Sequence, residues 1–171
     1  TCDVCLVGGE PLFWPGGCLS FAVHEAGSGL QDIEGGSARL AIANGFERGL
    51  AASCTGGEPP GVAVFDYGLV ECGREEYDKH GPNANIWAFR DAGWPYESWK
   101  IAVTTVRFNT QSGGIRDVDV ELNSEGFLFS LDGTGSVDMH AVVTHEAGHF
   151  LGLAHSCQPA ATMLQGYAPG S

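Results

Sequence analysis

The stretch His145-Glu146-Ala147-Gly148-His149-Phe150-Leu151-Gly152-Leu153-Ala154-His155 constrains this chain more than any other. On an α-helix, His145 and His149 are separated by about 40° of rotation and about 6 Å of rise, so both imidazoles leave one face. Two ring nitrogens then reach one ion at about 2.0 to 2.1 Å. A continued helix would carry His155 about 240° round the axis from His149, on the wrong side. Gly152 removes the difficulty: free to adopt a left-handed conformation, it stops the helix and lets the chain bring His155 back to the ion. In a chain of this composition the pattern His-Glu-x-x-His-x-x-Gly-x-x-His arises by chance about once in 10⁴ sequences. A core helix with incidental histidines is therefore a poor account of it.

Three neutral histidines leave one tetrahedral position for water, the arrangement of a catalytic rather than a structural zinc site. Glu146 follows the first ligand and can reach that water. The expected chemistry is peptide hydrolysis without a covalent intermediate, with zinc polarising the carbonyl and Glu146 moving the proton to the leaving amine.

The remaining pattern places this motif on a helix packed against a sheet. Short apolar runs at Leu19 to Val23, Val62 to Phe65 and Ile86 to Phe89 read as strands, and Ile101 to Phe108 alternates as a strand covered on at least one face. In Asp117 to Asn123, Val118, Val120 and Leu122 alternate strictly with Asp117, Asp119, Glu121 and Asn123, which predicts one buried and one wet face. Ala38, Ile42, Phe46 and Leu50 recur every four residues, so Ser37 to Ala52 reads as an amphipathic helix with a face of small residues. The motif helix runs from about Val137 to Leu151, with Ser136 or Asp138 as N-cap. Strands with helices packed on them give an α+β or α/β domain without repeats or linkers.

Charge and cysteines set the surroundings. The 171 residues carry 8 Lys+Arg against 21 Asp+Glu, a net charge of -13, the wrong sign for binding a phosphate backbone, so no nucleic-acid partner is expected. No apolar run is long enough to span a bilayer, and any signal or pro-segment is expected to have been removed. Cys2, Cys5, Cys18, Cys54, Cys72 and Cys157 read as up to three disulfides and a secreted, extracellular or periplasmic address, with Cys54–Cys72 as the guessed pair. The alternative makes Cys5 or Cys157 a thiolate able to occupy the metal site.

With these residues in view, the sequence resembles a metzincin metallopeptidase, whose signature is the extended histidine motif followed by a methionine turn. Ala161-Thr162-Met163 stands at a suitable distance for that turn. Within the clan the chain is most similar to the matrixins, bacterial members included, because Ser156 follows the third histidine and the order of strand, helix and further strands matches upstream. The resemblance implies a metzincin-like α+β fold: a mixed, mostly parallel five-stranded twisted sheet, a backing helix, the active-site helix and a small irregular C-terminal subdomain. It implies one catalytic domain over 1–171, with an upper subdomain at 1–152 and a short lower one at 153–171, acting as a monomer. Carried over by position, Val103, Thr104 and Thr105 form the upper rim, where a protein or peptide substrate adds as an extended strand. Met163 packs beneath the metal and Tyr167 lines the primed-side pocket. Leu164 and Gln165 depart from the family's usual Tyr and Pro. Matrixins also continue into a C-terminal helix, whereas this sequence stops at Ser171, which suggests a truncated form or a small lower subdomain. The histidines that hold a second, structural zinc in animal matrixins are missing, so one zinc is expected.

Other residues are assigned plainer roles. His24, His80 and His140 read as surface or packing residues, and Trp87, Trp94, Trp99 and Phe89 as core or rim. The Asp132-Gly133-Thr134-Gly135-Ser136 stretch, with Asp138, resembles an oxygen-rich loop able to hold calcium, a solvated turn being the plainer reading. Two rival functions stand beside the zinc endopeptidase: an inactive or latent zinc-containing binding module, its open metal position blocked by Cys5, Cys157 or an N-terminal segment, and a non-peptidase zinc hydrolase.

Overall fold

Leu19, Phe21 and Val23 alternate along β1 (Cys18–His24) and are buried on the side where the helices lie. The next element, α1 (Gly35–Leu50), presents Ala38, Ala41, Ile42, Gly45 and Phe46 to that same core. The chain continues through β2 (Ala63–Val70), β3 (Ile86–Phe89), β4 (Ala102–Phe108) and β5 (Ile115–Leu122). It closes with a small strand pair, β6 (Phe129–Ser130) and β7 (Val137–Asp138), and α2 (Met139–Phe150). The structure is a computed structural model that describes residues 9–53, 57–134 and 136–166. Cys2, Cys5, Cys54, Gly135 and Tyr167 lie outside the described residues.

The five-stranded sheet has the order β2-β1-β3-β5-β4. Its pairs are parallel except β4 with β5, which is antiparallel. This is the mixed, mostly parallel sheet with two helices that the resemblance to metzincins implies. The helix boundaries shift for a local reason: Val137 pairs with Phe129 in β6–β7, so α2 begins only at Met139.

The two helices cross where a side chain would not fit. A Cβ at Gly45 would lie 3.1 Å from the Val143 carbonyl oxygen, so glycine there permits α1 to approach the backbone of α2. Below the crossing, aromatic rings fill the core: Phe46 meets Phe150 edge-on at 5.1 Å, and Trp87 stacks on Phe150 at 6.1 Å. An N-terminal strap completes this end. The Trp14 indole Nε1–H donates to the Phe150 carbonyl at 2.8 Å, and Phe13 bridges in parallel to Gly114.

One expectation about β5 is overturned. Its alternation holds, but the polar face is not wet: Asp117, Asp119, Glu121 and Asn123 are 1–3 % exposed. The loops on either side of β3 fold over that face. Tyr96 donates to Glu121 at 2.6 Å, Arg90 pairs with the other oxygen of Glu121, and Arg107 pairs with Glu75. Alternation reports polarity, and polar residues can be covered when partners arrive from elsewhere in the chain. The covering is incomplete chemically: both oxygens of Asp117 and Oδ2 of Asp119 are buried without a hydrogen-bond partner among the described residues. Burial pushes the Asp117 carboxyl up to about 6 against the pull of Arg107, and Asp119 up to about 7.

The guessed Cys54–Cys72 bridge is also overturned. Cys18 and Cys72 are free thiols. Cys72 follows the end of β2 and packs with Ala22, Ile86 and Ala88 on the sheet face away from the helices.

Candidate metal centre

Asp138 starts the site. Its side chain accepts from the His140 backbone N–H at 2.9 Å, capping α2 two residues into the helix. From that cap the helix delivers His145, Glu146 and His149, and it ends as the motif requires. The Gly152 N–H bonds to the His149 carbonyl at 2.9 Å, and the Leu153 N–H reaches back to Gly148 at 2.9 Å. Gly152 itself has φ 97°. These two bonds and the left-handed residue make a Schellman turn. A Cβ at 152 would stand 3.2 Å from Leu12 Cβ and 3.3 Å from Ile115 Cδ1, so a side chain there would be crowded as well as strained in conformation.

The turn brings His155 back. The ligating atoms of His145, His149 and His155 all lie within 4.8 Å of one another, and His149 Nε2 is 3.1 Å from His155 Nε2. Among the described residues no other set of three His, Cys, Asp or Glu side chains converges in this way. Backbone carbonyls fix two of the rings: His145 Nδ1 lies 2.7 Å from the Thr162 oxygen, and His149 Nδ1 lies 2.8 Å from the Leu153 oxygen. A carbonyl accepts only, so each Nδ1 carries the proton and each Nε2 keeps a lone pair for an ion. Burial also holds His149 and His155 below the ordinary imidazole range, favouring the neutral form that ligates. The donor set, three neutral nitrogens with an adjacent carboxylate, fits zinc.

Met163 packs against Gly148 of α2. Its sulfur occupies the space a Cβ on Gly148 would need. The Ser156 N–H donates to the Met163 carbonyl at 2.6 Å, tying the segment after His155 to the turn that carries Thr162. Cys157 is disulfide-bonded, so it offers no thiolate to the centre.

Glu146 is 7 % exposed, and burial pushes its carboxyl above the usual range. Its Oε2 accepts from the Thr104 hydroxyl at 2.5 Å. The three residues expected on the rim therefore divide. Thr104 pairs with Val120 in β4–β5 and shares the helix-side face, whereas Val103 and Thr105 pair with Glu121 and Asp119 on the opposite face. β4 is the last strand of the sheet, with its outer edge unpaired among the described residues. In the oxygen-rich stretch the Asp132 carboxylate closes a local turn. Asp132 accepts from Ser130, from the Thr134 hydroxyl and from the Thr134 N–H, which holds its carboxyl down to about 2. Asp138 serves as the helix cap.

Sequence reasoning overlooked the Thr104 hydroxyl, the carbonyls of Thr162 and Leu153, and the Trp14 strap. Only the first left a signal, as a polar residue between Ala102 and Val106 on an otherwise apolar face.

Three histidines aimed at one point, an adjacent buried glutamate and an open strand edge define a candidate zinc-hydrolase centre. The family model described as Matrixin matches residues 77–171, more than half of the sequence, and the chain belongs to the matrixin family, which acts as zinc metalloendopeptidases. The match spans β3 to α2 and the whole histidine motif; β1, α1 and β2 lie before it. No curated protein matches the chain.

Proposed function

We propose that this chain is a zinc-dependent endopeptidase in which His145, His149 and His155 hold one zinc and Glu146 is the general base. The observation that carries the reading is the convergence of the three imidazoles beside Glu146, with Nδ1 of His145 and His149 committed to backbone carbonyls. Zinc, when bound, lowers the pKa of a water and polarises the scissile carbonyl. Glu146 takes the proton from the attacking water and delivers it to the leaving amine. Its buried position serves both halves of that task, since a carboxyl with a raised pKa holds the proton long enough to pass it on.

The substrate lies along β4 as an added strand, hydrogen-bonded to the main chain at Val103, Thr104 and Thr105. Tyr167 lines the pocket on the primed side, and Met163 supports the metal-binding rings from below. The chain works as a monomeric single catalytic domain, with 1–152 above the cleft and 153–171 below it. We place it outside the cytoplasm, secreted or periplasmic, where disulfides persist.

The test is casein cleavage by the zinc-loaded protein. The activity is expected to vanish with a zinc chelator and return with zinc, and Glu146→Ala is expected to retain one zinc while losing at least 10³-fold in kcat. An unmodified protein that binds zinc and cleaves no unfolded protein refutes the proposal and favours the latent module. Cleavage of small esters alone favours a different zinc hydrolase.

A further inference from the structure

The register of β4 leaves one polar side chain unaccounted for by the fold. Ala102, Thr104 and Val106 lie opposite Leu122, Val120 and Val118, so all three point into the layer between sheet and helices. Leu122, Val120 and Val118 are at most 1 % exposed. At such a position valine would fill the same volume without a hydroxyl needing a partner, and β-branched residues suit the strand equally. The Thr104 hydroxyl has one hydrogen-bond partner among the described residues: Oε2 of Glu146, 2.5 Å away and 42 positions along the chain. The second carboxylate oxygen, Oε1, receives no hydrogen bond from the described residues.

We propose that Thr104 is a positioning residue for Glu146, its hydroxyl fixing Oε2 so that Oε1 alone is presented to the attacking water. The proposal rests on the endopeptidase reading for its kinetic consequence. Glutamate has three rotatable side-chain bonds, and α2 fixes only the first atom of the chain. A hydroxyl anchored to the rim strand sets the remaining angles, and a proton acceptor held in one orientation meets its water far more often than one that samples several. The anchor also ties the carboxylate to the strand that the substrate joins. Carboxylate and scissile bond thereby share one rigid reference, and the carboxylate's reach is set by the β4–β5 register rather than by a loop.

Thr104→Val and Thr104→Ser test this. In the zinc-loaded enzyme, Thr104→Val is expected to lower kcat by about 10- to 100-fold, the size of a lost charge-assisted hydrogen bond, with KM within about twofold and zinc content unchanged. Thr104→Ser keeps the hydroxyl and is expected to restore kcat to within about threefold. A second measurement is independent of activity: urea unfolding of the full chain in chelator, for Thr104→Val made alone and in the Glu146→Ala background. The valine is expected to lower the unfolding midpoint when Glu146 is present and to leave it unchanged or raise it when Glu146 is gone, because the two residues are coupled. The proposal is overturned by equal midpoint shifts in the two backgrounds. It is also overturned by a serine variant as slow as the valine, or by a loss that appears in KM. Were the unmodified protein inactive on peptides, the endopeptidase reading would fail, and the unfolding cycle would still decide whether Thr104 holds Glu146.

Discussion

Replacing Asp119 by Asn should make this protein more stable at pH 8 and leave it nearly unchanged at pH 4. Asp119 is 2 % exposed, its Oδ1 accepts from the Ile86 N–H at 2.9 Å, and its Oδ2 has no hydrogen-bond partner among the described residues. Burial, with Asp117 two residues away and Glu75 above, pushes the carboxyl from 3.8 to about 7. A carboxyl raised on folding binds more protons in the folded state than in the unfolded one. Stability therefore falls as pH rises between about 4 and about 7, and the penalty is complete above 7. At about 1.36 kcal/mol for each pH unit the ceiling is about 4 kcal/mol, with about 1.5 kcal/mol accumulated at pH 5. Some relaxation around the charge brings the expected gain for Asp119→Asn at pH 8 to about 2–4 kcal/mol. For a domain of this size that corresponds to a Tm higher by roughly 5–15 °C. Asparagine keeps an oxygen for the Ile86 N–H, so the ladder is not broken by the change. The assay is urea unfolding at pH 4.5, 6 and 8, followed by Trp87, which is fully buried. Glu10→Gln, at an exposed site, corrects for the loss of one charge from the net -13. A gain that does not grow with pH, or a variant less stable at pH 8, would refute the reasoning.

Two substitutions test the support of the metal centre. Gly152→Ala forces a side chain into φ 97° and against Leu12, and should cost about 2–3 kcal/mol in urea unfolding and weaken zinc binding at least tenfold by titration; an unchanged zinc Kd would show that the turn does not place His155. Gly148→Ala displaces the Met163 sulfur and, through the adjoining Thr162 carbonyl, loosens His145; the expected cost is about 1–2 kcal/mol with a lower zinc affinity, and a stability loss without any change in affinity would separate Met163 from the metal.

What could be read from the sequence was local. His145, Glu146 and His149 share a helix, Gly152 follows it, and the geometry of one turn of helix relates them without reference to the rest of the chain. The same holds for the alternation in β5, which gave the strand and its core face correctly. It failed on the other face because Arg90, Tyr96 and Glu75 come from outside the strand, and no periodicity within eight residues reports what folds over them. Val137 was assigned to the helix for a similar reason, since its partner Phe129 is met only through the β6–β7 pairing. The Thr104–Glu146 bond spans two elements whose distance depends on the whole sheet, and only the anomaly of a hydroxyl among apolar neighbours pointed towards it.

The strap at Phe13 and Trp14 has a consequence for the order in which the molecule is built. Trp14 and Phe150 are 136 residues apart in sequence, yet the indole closes the last turn of α2 and Leu12 lies against Gly152. Contacts of such separation form late, because the loop between them must close before they are rewarded. A ribosome releases the strap well before the histidines. The end of α2, and with it the return of His155, is thus completed only after the whole stretch from Leu12 to His155 has emerged. A nascent chain in this state holds an unfinished metal site until the segment carrying Gly152 and His155 has emerged.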